Sequence, residues 1–274
     1  SDLSHPISYN QLMASLYNKL FSIKYTWTRV SGIKQDFILI MYKLSLSTSG
    51  QYISAAIFDV KLVSSFIFKS DKGSTSLLLN QIEELCKKTN IKRKDLDAIY
   101  FDSGPGYYTG LRIGLSVSQG ICGSLGIPIV PVNGLNALAF AAHTSHRKIC
   151  SIIDIKRNEY AYCTYNPVPG GVAKETEPEV ITVDNLEIKI AGDSDKKLLV
   201  GNWDLLNNKK ILNDSNTKLA DPRFVTAENI FNVGERLFQS NNYPNFNEIQ
   251  IDYMREPDIT LPKENLVKMV NFYD

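Results

Sequence analysis

A chain of 274 residues, 43% hydrophobic and 22% charged, suits one large or two small globular domains rather than a fibrous or disordered segment. A net charge of +1 excludes a nucleic-acid binder that works by bulk charge, while leaving a local basic patch open. The four cysteines (Cys86, Cys122, Cys150, Cys163) form no C-x-x-C pair and fall in apolar patterns, which reads as reduced core residues of a cytosolic protein.

Residues 1–40 differ in character from the rest of the chain. Serines, the tyrosines Tyr9, Tyr17 and Tyr25 and scattered lysines surround a weak helical pattern at Leu12, Leu16 and Leu20, with Asp2 and Asp36 the only acids. Low acid content with serine and scattered basics fits a transit-like leader; the simpler reading is an extension upstream of Met41.

From Met41 the pattern is strand-like. Tyr42–Ser47 alternates, Ser49-Gly50 marks a turn, and Tyr52–Phe58 and Leu62–Phe68 are β-branched or aromatic runs. These predict an antiparallel meander. A helix is predicted over about Thr75–Lys88, opened by Asp71-Lys-Gly-Ser-Thr75. Its stripe is Leu78, Ile82 and Leu85, and Lys87 and Lys88 sit in the last turn, where the dipole favours them. Three leucines in a row, Leu77 to Leu79, give an apolar arc too wide for one surface and imply a second contact.

The central block, Asp97–Val132, reads strand, glycine-rich turn, small-residue helix, strand. In the turn, Pro105 fixes its own φ, Gly104 and Gly106 permit unusual conformations, and Thr109 is a candidate helix cap. The spacing matches neither the P-loop nor the dinucleotide fingerprint. On the helix, Gly110, Gly114, Ser118 and Cys122 recur every fourth residue beside a ridge of Ile113, Val117, Ile121 and Leu125. Interior glycines cost about 0.5–1 kcal/mol each against alanine, so a close neighbour must compensate. Arg112 in the first turn opposes the helix dipole, which leaves either a solvated side chain or a contact outside its own helix.

An alanine-rich helix over Gly134–Ala142 closes a βββαβαβα order, which resembles a ribonuclease H-like lobe of the actin-like ATPases. From Lys148 the pattern restarts in shorter form. It predicts strands at Ile149–Ile153, Glu159–Tyr165, Glu179–Val183 and Leu198–Gly201, a helix near Asp184–Lys189, and loops at Pro167–Gly171 and Asn207–Asn216. A last helix runs from about Thr226, its cap, to Ser240. The expected fold is therefore α/β, with two ribonuclease H-like lobes of mixed sheet flanked by helices. The division is 41–147 for the first lobe and 148–274 for a reduced second one.

The block Asp102-Ser-Gly-Pro-Gly-Tyr-Tyr-Thr-Gly-Leu-Arg-Ile-Gly114 closely resembles G-R-G-P-G-S-F-T-G-V-R-I-G of TsaB (YeaZ) proteins. Asp154-Ile-Lys-Arg-Asn-Glu159 is similar to that family's D-A-R-x-x-E, with Lys156 replacing the arginine, and Tyr253-Met-Arg255 is similar to its Y-L-R. Met41-Tyr-Lys-Leu-Ser-Leu-Ser-Thr-Ser49 stands where that family begins M-x-I-L-A-I-D-T-S, which favours the upstream-extension reading of residues 1–40. The resemblance implies a non-catalytic subunit that pairs with the transferase TsaD to make threonylcarbamoyladenosine beside the tRNA anticodon. The ATPase TsaE and tRNA would join through that complex, and the chain would form a homodimer when alone. The helices near 75–88 and 110–125 would meet those of TsaD in a four-helix bundle. The candidate interface is then Leu78, Ile82, Leu85, Gly110, Arg112, Ile113, Gly114, Val117, Ser118 and Ile121.

Enzymatic readings find less support. ATPases of this superfamily place an aspartate in the first hairpin because a hard cation wants carboxylate oxygen. Here Ser47 holds that position; Ser47 and Thr48 could touch a nucleotide but not neutralise Mg²⁺. No firmly bound cofactor or metal is expected, with ATP or ADP confined to the partner interface. Asp102, Asp154 and Glu159 read as structural carboxylates, Cys122 as packing, and His143, His146 and Cys150 as a weak metal candidate. An active ATPase or small-molecule kinase, and a purely structural homodimer, are the rivals.

Overall fold

The computed structural model describes residues 40–70 and 74–254. Residues 1–39, the Asp71-Lys-Gly73 opening of the first helix and Arg255 lie outside the described residues.

In chain order the first half is β1 (Tyr42–Ser47), β2 (Tyr52–Phe58), β3 (Leu62–Lys69), α1 (Ser74–Thr89), β4 (Leu96–Gly104), α2 (Tyr108–Leu125), β5 (Ile129–Asn133) and α3 (Gly134–Ala141). The second half is β6 (Lys148–Asp154), β7 (Glu159–Val168), β8 (Gly171–Lys174), β9 (Glu179–Thr182), α4 (Val183–Gly192), β10 (Lys197–Gly201), α5 (Lys209–Leu212), β11 (Thr217–Leu219) and α6 (Ala227–Gln239).

The first sheet has the order β3-β2-β1-β4-β5. Its meander is antiparallel and its β1–β4 and β4–β5 pairs are parallel. The second sheet repeats the plan as β11-β10-β6-β7-β8, with β9 also on β7. The α/β fold of two mixed sheets flanked by helices is the one expected.

The central strands are buried on both faces, and period-two alternation decides what each face carries. Leu44, Leu46, Ile99 and Phe101 join one core cluster with Leu78, Ile82 and Leu85 of α1 and Val117, Ile121 and Cys122 of α2. Ala98 and Tyr100 point the other way, into a second cluster. That cluster runs from the first sheet through α3 and α6 into β6 and β7 of the second sheet.

A helix exchange binds the lobes. α6, late in the chain, packs on β1, β2, β4 and β5, while α3, from the first half, packs on β6, β7, β8 and β10. Residues assigned by sequence order to the second lobe thus form one layer of the first. The close fit of α6 has a local cause: a Cβ on Gly234 would lie 2.7 Å from the Tyr100 ring.

Four local expectations change. α2 begins at Tyr108 with Tyr107 as N-cap and no side-chain cap bond, so Thr109 lies inside the first turn and does not cap it. Ser103 and Gly104 belong to β4 rather than to a loop. Within the Pro167–Gly171 stretch, β7 runs to Val168 and β8 starts at Gly171. The Asn207–Asn216 stretch holds the short helix α5. The predicted cap at Thr226 and the stop after Leu125 hold: Thr226 and Asn229 form a capping box, and Gly126 closes α2 at φ 67°.

Candidate functional site

The glycine-rich segment 104–110 is pressed onto the β1–β2 turn. Tyr107 N donates to the Ser49 carbonyl at 2.6 Å, and Thr48 Oγ1 donates to the Gly110 carbonyl at 2.7 Å. A Cβ on Gly106 would lie 2.3 Å from the Ser49 carbonyl oxygen, and one on Gly110 would lie 2.0 Å from that of Thr48. Only glycine allows this approach, which explains the motif's glycines without invoking a phosphate. The Gly104–Pro105 peptide is cis and Gly104 sits at φ 108°.

Beneath the turn lies Asp102, which is buried. It accepts from Ser47 Oγ at 2.9 Å, from Ser49 Oγ and from Gly104 N at 3.0 Å. Burial pushes its carboxyl up to about 6 against the pull of those donors. Ser47 Oγ also lies 3.1 Å from the Val225 carbonyl. The expectation that Ser47 and Thr48 could meet a nucleotide is therefore corrected: both are buried and their hydroxyls are used within the fold.

The start of the second lobe closes on the same loop. Tyr107 OH donates to Asp154 Oδ2 at 2.5 Å, and the Lys156 ammonium stands 3.7 Å from the Tyr107 ring centroid. Burial and the neighbouring Asp154 carboxylate raise the Tyr107 phenol. Lys156, standing where a TsaB-like arginine would, thus binds the ring face. Asp252 then ties the C-terminal segment down, accepting from Ser103 Oγ at 3.0 Å and Asn133 Nδ2 at 3.1 Å. Asp102 and Asp154 both accept hydrogen bonds within the fold. Asp252 carried no signal in the sequence, because its partners lie 119 and 149 residues away.

α2 presents two small-residue rows on opposite faces. The predicted row faces inward: Gly114, Ser118 and Cys122 are buried, and Gly110 and Gly114 lie against Thr48. Leu78, Ile82, Leu85, Val117 and Ile121 are also buried, in this chain's own core. As partner-facing positions these residues are corrected, because the sheet already covers them. Arg112 is exposed and Ile113 and Gly110 are half-buried. Arg112 Nη1 donates to Tyr108 OH at 2.9 Å and its guanidinium lies over that ring, so its contact is within its own helix.

The outward row, Ser116, Gly120 and Gly123, is exposed, and Arg112 stands at its N-terminal end. A Cβ on Gly120 would meet nothing within 4 Å. Beside it runs a shallow groove lined by Arg112, Ser116, Ile249, Ile251 and Tyr253. On α1, Leu77 and Leu79 are 42% and 43% exposed, so the wide arc of three consecutive leucines is only partly covered within the chain. Sequence reasoning missed the outer row although a helical wheel displays it, since 112, 116 and 120 follow the same four-residue step.

The remaining candidates are occupied locally. Burial pushes the Cys122 thiol up to about 12. His143 Nδ1 lies 2.7 Å from the Phe140 carbonyl and its ring stacks on Phe140. Among the described residues no three His, Cys, Asp or Glu side chains cluster as metal ligands. No described helix is long and apolar enough to cross a membrane.

Comparisons with known proteins point to one family. Residues 69–221 match the family model described as TsaD, tRNA N6-adenosine threonylcarbamoyltransferase. The chain is 28% identical over 206 residues to the tRNA threonylcarbamoyladenosine biosynthesis protein TsaB of Buchnera aphidicola subsp. Schizaphis graminum, covering 73% of this chain and 95% of that one. It is 25% identical over 174 residues to TsaB of Bacillus subtilis, covering 62% and 75%. Among solved structures it is similar to YeaZ from Pseudomonas aeruginosa, with a TM-score of 0.66 at 20% identity over 78% of this chain and 99% of that one.

Proposed function

The chain belongs to the TsaB (YeaZ) branch of the TsaD, tRNA N6-adenosine threonylcarbamoyltransferase, family, and on that premise we propose that it is an accessory subunit that pairs with a TsaD-type transferase in making threonylcarbamoyladenosine in tRNA. The observation that carries the reading is the open face of α2. Ser116, Gly120 and Gly123 are exposed, and Gly120, an interior glycine whose Cβ position meets nothing in its own fold, costs helix stability without return. A helix of a second polypeptide laid along that face would recover the cost through close packing. The exposed Leu79 of α1 would add an apolar contact.

Chemistry belongs to the partner in this reading. The hydroxyls of Ser47, Thr48 and Ser49 are already engaged, which counts against the rival of an ATPase or kinase acting alone. ATP or ADP would sit at the partner junction, and a TsaE-type ATPase and tRNA would join through the complex.

Gly120→Leu and Ser116→Trp test the interface. Each should reduce co-purification with the TsaD-type subunit at least about tenfold, because a large side chain blocks close helix contact. The melting temperature of the isolated chain should hold. Undiminished co-purification would refute the interface, and unchanged threonylcarbamoyladenosine in tRNA after depletion of the chain would refute the function.

A further inference from the structure

The charge of the chain is unevenly divided. Residues 41–147 carry eleven Lys and Arg against seven Asp and Glu, and residues 148–254 carry twelve against sixteen. A total of +1 therefore hides a basic first half and an acidic second one. The densest run of cations lies between α1 and β4, where Lys87, Lys88, Lys92, Arg93 and Lys94 place five in eight residues with no acid among them. All five are exposed. The dipole at the end of α1 accounts for Lys87 and Lys88, but the other three lie past that helix.

The run is held on a fixed backbone. Asn90, at φ 56°, ends α1, and Ile91 N donates to the Cys86 carbonyl at 3.0 Å. Ile91 is buried in the core cluster that includes α1. Lys92 N donates to Asp95 Oδ2 at 3.1 Å, which opens the 3-10 turn Arg93–Asp95. Lys87, Lys92 and Arg93 thereby line a cleft of about 270 Å³ whose one acid is Glu83. Glu84 pairs with Lys87 at 2.8 Å and Glu83 lies 3.9 Å from Arg93. Lys88, Lys92 and Lys94 have no acidic partner among the described residues. Because β4 and β5 are parallel, α1 and α2 both end on this side of the sheet, opposite the motif 104–110.

We propose that Lys87, Lys88, Lys92, Arg93 and Lys94 bind the phosphodiester backbone of RNA; on the reading above, which this inference extends, that RNA is the tRNA substrate of the complex. Lysine supplies four of the five charges. A compact ammonium on a flexible stem follows an irregular phosphate backbone. Carboxylates of a protein partner are instead met by the guanidinium fork, and lysine is depleted in protein interfaces. No aromatic residue lies in 87–94, so bases find nothing to stack on and the contact is with backbone, independent of sequence. The acidic second half repels the same polyanion and confines it to this end of the first sheet. The run shares no residue with the outer row of α2, so a partner helix and RNA do not compete for one surface.

The test is equilibrium binding of an unmodified tRNA transcript to the full chain, alone and with a TsaD-type subunit, from about 50 to about 200 mM salt. Binding by the native chain should weaken steeply as salt rises. The triple variant Lys88→Gln, Lys92→Gln and Lys94→Gln removes the three unpaired charges. It should bind at least about tenfold more weakly at low salt, and its plot of log K against log salt should be shallower by about 2, at roughly 0.7–0.9 per phosphate contact. All three sites are exposed, so melting temperature and co-purification should hold. Glu83→Gln, which removes the acid from the cleft, should tighten binding. Gly120→Leu should leave tRNA binding by the chain alone unchanged, which separates a failure of the pairing from a failure of this site. Equal affinity and equal salt dependence in the native chain and the triple variant would overturn the proposal. So would loss of co-purification in the triple variant with tRNA binding by the chain alone intact, which would give the run to an acidic protein.

Discussion

The two faces of α2 are built from the same kinds of residue and do opposite work. The inner row, Gly110, Gly114, Ser118 and Cys122, lets the β1–β2 turn approach the helix backbone, and Thr48 fills the space that side chains would take. The outer row, Ser116, Gly120 and Gly123, is exposed, with open space at Gly120. Small residues mark where a backbone needs to be approached. They do not say by what, and on this helix one approach is intramolecular and the other is left for a second chain.

Substitution at one glycine of each row breaks that comparison most directly. Gly110→Ala drives a methyl into the Thr48 carbonyl, which lies 2.0 Å from the Cβ position and belongs to a rigid turn. Such overpacking costs about 1–3 kcal/mol or more, read as a fall in denaturation midpoint. Gly120→Ala has open space and removes backbone entropy from the unfolded chain, so it should stabilise by about 0.5–1 kcal/mol. Equal responses at the two sites would mean that the rows are not distinct.

Asp102, under the same turn, sharpens the contrast through pH. Its carboxyl is raised from an ordinary 3.8 to about 6, chiefly by burial. The folded state then binds more protons than the unfolded one across that window, so stability falls as pH rises from about 4 to about 6 and is flat above. Asp102→Asn keeps the shape and removes the titration. Its pH–stability curve should lose that slope, a difference on the order of 3 kcal/mol across the window. A slope unchanged in Asp102→Asn would assign it to another group.

The smallest effect is expected within the inner row. Ser118 Oγ is buried with no hydrogen-bond partner among the described residues. Ser118→Ala removes a desolvated hydroxyl and should raise stability by up to about 1 kcal/mol. Destabilisation measured by thermal or urea unfolding would show that the hydroxyl has a partner in solution.

Much of the fold was legible in the sequence because its elements carry their own periodicity. The Tyr42–Phe68 meander, the Leu78-Ile82-Leu85 stripe and the Thr226 cap follow from alternation, helical spacing and local hydrogen bonding. β11 (Thr-Lys-Leu) and β8 (Gly-Val-Ala-Lys) were not legible, because each is short and poor in β-branched or aromatic residues and is a strand only through its neighbour β10 or β7. The site was less legible. The motif 104–110 stood out, yet its glycines read as loop flexibility when their cause is contact with Ser49 and Thr48, more than fifty residues earlier.

What the amino-acid order determined by itself was the succession of strands and helices, the repeat of one lobe pattern in shorter form, and the motif by which the family is recognised. These depend on neighbours within a few residues. Only the tertiary structure decided which side of α2 faces the sheet, that α6 crosses to the first lobe, and that Leu78 is buried while Leu77 and Leu79 are left open. A helix repeats its small and apolar rows around its whole circumference, and which row is inside is set by the chain that folds against it.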